Sequence, residues 1–138
     1  MSLDHVFTMA GSALNAQNVR LSTISQNIAN AQTAASSPDT VYRARIPVFQ
    51  AIIDGQGGST ENGAAVKVVG IVQDDTPPTK QYQPNNPIAD ENGFIYLPNV
   101  NSVEEMSNMM TASRAYQVNI EMMNTAKELM LRTVMLGQ

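Results

Sequence analysis

The sequence predicts an α+β protein in which N- and C-terminal helices pair as a coiled-coil-like axial core around a small β-rich middle module. Three observations predict it. Apolar residues recur at heptad spacing from residue 3 to about residue 35. The centre, from Pro38 to about Val100, holds all seven prolines and six of the eight glycines. The last stretch has no Gly or Pro between Asn99 and Leu136. The helical polymerisation core is accordingly assigned to residues 1–35 and 101–138, and the β-rich module to residues 36–100.

The first helix shows two rows. Phe7, Leu14, Leu21 and Ile28 form one, and Ala10, Gln17, Ile24 and Ala31 the other. Together they make the a/d seam of a pairing helix. Ser2 is the expected cap and Asp4 suits the positive end of the helix dipole. The helix must stop before Ser36-Ser37-Pro38, because the residue ahead of a proline avoids the helical region.

In the middle module, residues 41–53 read as a strand region interrupted by Pro47, which suggests an edge or a bulge. A loop is expected from Asp54-Gly55 to Gly63, and a β-branched strand from Ala65 to Val72. Residues 76–87 read as extended and proline-rich. A last short strand, Phe94 to Leu97, follows the turn Asp90-Glu91-Asn92-Gly93.

The C-terminal helix is predicted over residues 102–136. Ser102 and Glu105 match an S-x-x-E capping box, and Gly137 stands where a helix-terminating glycine belongs. Its apolar residues lie on two sides. One row is Met109, Ala112, Tyr116, Asn119, Met123, Ala126 and Met130; the other is Val103, Met106, Met110, Ile120, Leu131 and Val134. A helix with one neighbour needs one stripe. The N-terminal helix accounts for one row, and a second row implies contact with another subunit. Seven of the nine methionines fall in this helix, where their flexible thioethers adapt to irregular neighbours. The expected subunit interface is therefore Phe7, Leu14, Leu21, Ile24 and Ile28 with Met109, Tyr116, Ile120, Met123, Met130, Leu131 and Val134. The pattern leaves parallel and antiparallel pairing equally open.

Composition excludes several functions. Charged residues are 14% of the chain and the net charge is −4, with no basic patch for nucleic acid. Cysteine is absent, which removes thiolate chemistry and zinc-thiolate sites. Asp4 occupies the place of a basic n-region, no apolar h-region follows, and no run approaches the length of a membrane span. His5, the sole histidine, has no nucleophile or carboxylate tied to it by spacing. Asp74-Asp75, Asp90-Glu91 and Glu104-Glu105 are sequence neighbours, better suited to turns and helix starts than to a shared substrate. With no nucleotide fingerprint and no complete calcium loop, the expectation is a protein that is not an enzyme and holds no cofactor or metal.

Asn27-Ile28-Ala29-Asn30-Ala31-Gln32-Thr33 resembles the N-terminal signature of the flagellar rod and hook axial proteins, with Asn27, Ala29, Asn30 and Thr33 as its motif positions. Tyr42-Arg43-Ala44 resembles the segment that follows it in that family. Residues 87–100, Ala112-Ser113-Arg114-Ala115-Tyr116-Gln117 and Leu136-Gly137-Gln138 resemble the C-terminal half of the family's proximal rod members. The resemblance implies a structural subunit of the proximal rod of the bacterial flagellar basal body, a torque-transmitting shaft in the periplasm. It implies export through the flagellar type III apparatus without a cleaved signal. It also implies partners among copies of itself and the rod proteins FlgB, FlgF, FlgG and FliE, with no nucleic acid and no membrane span. Apart from the resemblance, Asn30 and Thr33 can close the first helix by bonding its backbone, or can make a direct subunit contact. The same apolar stripes would also suit a free helical hairpin that captures an amphipathic partner helix.

Overall fold

A computed structural model describes residues 3–53 and 64–136. Its elements run α1 (Leu3–Asn30), β1 (Arg45–Ile53), β2 (Ala64–Gln73), β3 (Thr79–Tyr82), β4 (Phe94–Leu97) and α2 (Ser102–Leu136). The α+β architecture expected from the sequence is the one observed. The Ser2 cap, the Gly55–Gly63 loop, the Asp4 side chain and Gly137 lie outside what is described.

Helix α1 ends at Asn30, where the Thr33 hydroxyl and N–H both donate to the Asn30 carbonyl, at 2.7 and 3.1 Å. The Asn30 amide turns back to donate to the Gln26 carbonyl at 2.8 Å. Helix α2 starts differently from the sequence expectation. Asn101, not Ser102, is the cap: its Oδ1 accepts from the N–H groups of Val103 and Glu104 at 3.1 and 3.4 Å. Glu105 does not reach back to close a capping box, because its carboxylate is engaged by Asn27 and Asn108.

The strands form two two-stranded sheets, β1 with β2 and β3 with β4. Strand β3 lies inside the stretch read only as extended. It pairs antiparallel with β4 in the register Thr79 to Leu97 and Tyr82 to Phe94. Ala35 adds a bridge on the other side of Tyr96, exchanging both backbone bonds with it at 2.9 and 3.0 Å.

The chain divides into two compact units. One gathers Met1–Leu21, Val48–Gly70 and Thr111–Gln138. Its fully buried apolar side chains, among the described residues, are all alanine: Ala10, Ala16, Ala112 and Ala126. The Ser12 hydroxyl donates to the Met9 carbonyl and accepts from the Val66 N–H at 3.1 Å, fastening β2 to α1. Alanines permit close backbone approach but remove little apolar area from water. This unit therefore draws modest stability from its own interior.

The other unit gathers Ser22–Pro47 and Ile71–Met110. Ile24, Val41 and Ile95 are its buried apolar residues, and Thr23 and Asn27 are buried polar ones. Asn99 straps two segments together here. Its Oδ1 accepts from the Ala44 N–H at 2.8 Å while its Nδ2 donates to the Thr76 carbonyl at 3.1 Å. The Asp74 N–H donates to the Ala44 carbonyl at 2.8 Å alongside.

Candidate functional site

The two apolar rows of α2 differ in exposure and overlap only at Met130 and Ile120. Met109, Tyr116 and Met123 are half-buried and Ala112 and Ala126 fully buried, on one face with Asn119. The second row faces outward throughout: Val103 is 77% exposed, Val134 62%, and Met106, Met110 and Leu131 more than half. Ile120, at 38%, sits at the edge of that row. Met130 ends the first row at 40% exposure, so the covered stripe stops at Ala126. On α1, Ile24 is buried within the protomer, while Phe7, Leu14, Leu21 and Ile28 are partly covered.

Exposure along α2 extends beyond the predicted row. Val118, Met122, Leu129 and Met135 are each at least half exposed. Val118, Glu121, Met122, Thr125, Ala126 and Leu129 line an open groove of ≈ 450 Å³, with Val6 of α1 on its far wall. The start of α1 thus lies beside the second half of α2. In the other unit the last turn of α1 meets the first turn of α2, through Asn27 and Glu105.

The motif residues divide by role. Ala29 and Thr33 are exposed, and the hydrogen bonds of Asn30 and Thr33 are local to the helix end. Asn27 is different. It is 2% exposed, and every polar position of its amide is used. Oδ1 accepts from the Tyr42 hydroxyl at 2.8 Å and from the Arg45 N–H at 2.9 Å. Nδ2 donates to the Arg45 carbonyl at 2.9 Å and to Glu105 Oε2 at 3.1 Å. The Arg45 guanidinium lies 5.5 Å from the Tyr42 ring centre and donates to Gln26 at 3.1 Å. Burial pushes the Tyr42 phenol above its ordinary value; Arg45 opposes that shift and Glu105 adds to it. One side chain thereby joins the last turn of α1, the start of β1 and the first turn of α2. The sequence signal for it was its place in the axial-family motif, next to Ile28 of the apolar row.

The loop into β4 is equally ordered. Gly93 has φ +79°, and Lys80 Nζ lies 3.9 Å above the Phe94 ring centre. Among the described residues no three His, Cys, Asp or Glu side chains converge as metal ligands, and no helix is long and apolar enough to cross a membrane.

Two families match the chain. Residues 7–34 match the family described as flagella basal body rod protein, and residues 91–135 the C-terminal family of the flagellar basal body rod proteins FlgEFG. The chain is similar along its whole length to curated relatives named flagellar basal-body rod protein FlgC. That of Salmonella typhimurium is 45% identical over 138 residues, covering all of both chains. That of Escherichia coli O157:H7 is 43% identical over the same span. That of Buchnera aphidicola subsp. Schizaphis graminum is 36% identical over 140 residues, again covering both chains in full.

Proposed function

The chain belongs to the FlgC family of flagellar basal-body rod proteins, a family of structural rod subunits, and we propose that it enters the rod through the outward faces of its terminal helices. The observation that carries this reading is the outward apolar row of α2, uncovered from Val103 to Val134. Monomeric proteins rarely leave contiguous apolar surface of that length in water. A rod neighbour covers it, and the unit that holds Ile120, Leu131 and Val134, with its alanine-only interior, gains in assembly the apolar burial it lacks alone.

The role is mechanical, without catalysis or cofactor. Terminal helices interlock into the torque-transmitting shaft, and the middle module braces neighbouring subunits. The partners are copies of this chain and the adjoining rod proteins FlgB, FlgF, FlgG and FliE. The subunit reaches the periplasmic rod through the flagellar type III apparatus. Helix α1 supports export without cleavage, because Ser12 and Asn27 tie it to β2, β1 and α2 and its removal would open the fold.

Hydrogen exchange on dilute subunit, alone and mixed with the adjoining rod proteins, tests this. Residues 111–135 are expected to exchange fast in the free subunit and slowly in the mixture, with residues 22–47 protected in both. Strong protection of residues 111–135 in a subunit shown to be monomeric would reject assembly as the purpose of that face. A free hairpin that captures unrelated helices would instead be protected by a designed amphipathic peptide as well as by rod proteins.

A further inference from the structure

The methionines of this chain are sorted by depth. Among the described residues, none of the fully buried ones is methionine. One unit buries Ala10, Ala16, Ala112 and Ala126, and the other Ile24, Val41 and Ile95. These hydrocarbon side chains carry no sulfur to oxidise. Five of the seven methionines of α2 lie on the surface instead. Met106 is 53% exposed, Met110 59%, Met122 50%, Met130 40% and Met135 78%. Met9, Met109 and Met123 are half-buried. Susceptibility of a side-chain sulfur to oxidants follows its exposure. Cysteine is absent, so no thiol of this chain consumes an oxidant first.

We propose that the outward methionines of α2 are a reversible oxidation site that decides whether the subunit can assemble. The proposal rests on the reading that this face meets rod neighbours. A peroxide is the co-reactant. The Sδ lone pair attacks one peroxide oxygen, so an S–O bond forms and the O–O bond breaks. The departing hydroxide takes the proton from the transferred oxygen and leaves as water. Sulfur loses two electrons and the peroxide gains them. The product is a sulfoxide, a polar acceptor on a side chain that was apolar. In the free subunit water satisfies that oxygen, because all five side chains are already wet. In the assembled rod it would be buried against apolar surface without a donor. Met122 shares its groove with Val118, Ala126 and Leu129, which offer none. The Thr125 hydroxyl in the same groove already donates to the Glu121 carbonyl at 2.9 Å. Oxidation therefore acts on association and spares the fold. The block is reversible: methionine sulfoxide reductases return the thioether, with two thiols oxidised to a disulfide and the oxygen released as water.

The full chain is treated with limiting hydrogen peroxide, which catalase removes before any partner is added. Peptide mass mapping should find Met106, Met110, Met122, Met130 and Met135 oxidised before Met9, Met109 and Met123. Circular dichroism should be retained. Mixed with the adjoining rod proteins, the oxidised chain should associate about tenfold more weakly or worse, the effect of burying an unpaired polar oxygen. Methionine sulfoxide reductase with dithiothreitol should restore association. A variant carrying Met106→Leu, Met110→Leu, Met122→Leu, Met130→Leu and Met135→Leu should show the same affinity before and after peroxide. Undiminished association of the oxidised chain overturns the proposal and leaves the assembly reading standing. Loss of helicity on oxidation overturns it too, since these methionines would then hold the fold. So does a peroxide effect that persists in the leucine variant. Should that variant fail to fold, the reductase decides: recovered association supports the site and no recovery overturns it. Failure of the untreated chain to associate rejects the assembly reading, and the proposal with it.

Discussion

Asp90 and Phe94 hold each other from both ends of one loop: the Asp90 N–H donates to the Phe94 carbonyl and the Phe94 N–H donates to Asp90 Oδ1, each at 2.8 Å. The same carboxylate accepts from the Asn92 N–H at 2.9 Å and from the Tyr96 hydroxyl at 3.3 Å. Donors converging on the ionised form lower a carboxyl pKa. The Phe94 N–H is the foremost cause of the lowering at Asp90, with Asn92, Tyr96 and the Lys80 charge adding to it against partial desolvation. Because the folded value lies below that of the unfolded chain, this loop contributes stability that is present above about pH 4 and lost as pH falls through the folded value. Asp90→Asn keeps an acceptor for the backbone but not the charge. Melting curves from pH 7 to pH 2 are expected to show wild type above Asp90→Asn at neutral pH, with the two converging in acid. A gap that persists unchanged at pH 2 would mean that the carboxylate charge has no part in the loop.

Gly93 closes the same loop with φ +79°. A Cβ built there would sit 3.0 Å from Tyr82 Cε2 and 3.1 Å from Pro84 Cβ. The left-handed conformation alone costs a side-chain-bearing residue about 1–2 kcal/mol, and the proline ring has little room to give. Gly93→Ala should lower the melting temperature by about 5 °C or more. The change should appear first as exchange at the amides of β3 and β4, which the Tyr82–Phe94 edge-to-face contact at 5.1 Å helps join.

Tyr42 is the readout for the Asn27 network. Its phenol must be protonated to donate to Asn27 Oδ1. Burial raises its folded pKa above that of the free side chain. Its contribution is therefore complete below the unfolded value of about 10 and is lost as pH rises through the folded one. Spectrophotometric titration at 295 nm should show one late-titrating tyrosine that is absent from Tyr42→Phe. Tyr42→Phe itself should destabilise by about 1 kcal/mol, measured by urea unfolding near neutral pH. An unshifted titration of all four tyrosines would remove the network's claim on this hydroxyl.

What the sequence disclosed and what it hid follow from distance along the chain. The turn Asp90 to Gly93 was legible because its chemistry is local: an Asx residue and a glycine at fixed spacing. The two long helices were legible from periodicity. The cap of α2 was misplaced by one residue, since Asn101 and Ser102 are both good caps and only geometry chooses between them. Strand β3 was hidden because Thr79-Lys80-Gln81-Tyr82 is exposed on every residue, so it carries no apolar alternation. The Asn27–Glu105 bond spans 78 positions and joins two polar residues, which leaves no periodic trace.

The outward row of α2 supplies the sharpest test of assembly. Ile120 lies at its edge and Met123 on the covered stripe, so two charge substitutions three residues apart should fail in different ways. Ile120→Asp places a carboxylate on a surface that is partly wet in the protomer, so the subunit is expected to fold with a stability change of about 0.5 kcal/mol. In the rod the same carboxylate would be buried without a counter-charge, a penalty of about 3 kcal/mol or more, enough to weaken association more than a hundredfold. Cells carrying it should export the subunit and make no filament. Met123→Glu charges the face that α2 turns inward, and is expected to destabilise the protomer itself before assembly is reached. Glu121, exposed on the groove beside Val118 and Met122, is the control: Glu121→Gln only removes a charge already there and should leave motility near normal. Circular dichroism on the purified subunits, with motility in complemented cells, separates the outcomes. Normal motility with Ile120→Asp would place that row in water within the rod and reject the proposed interface. Loss of the folded state by Ile120→Asp would make the residue part of the protomer core, and assembly would have to use another face.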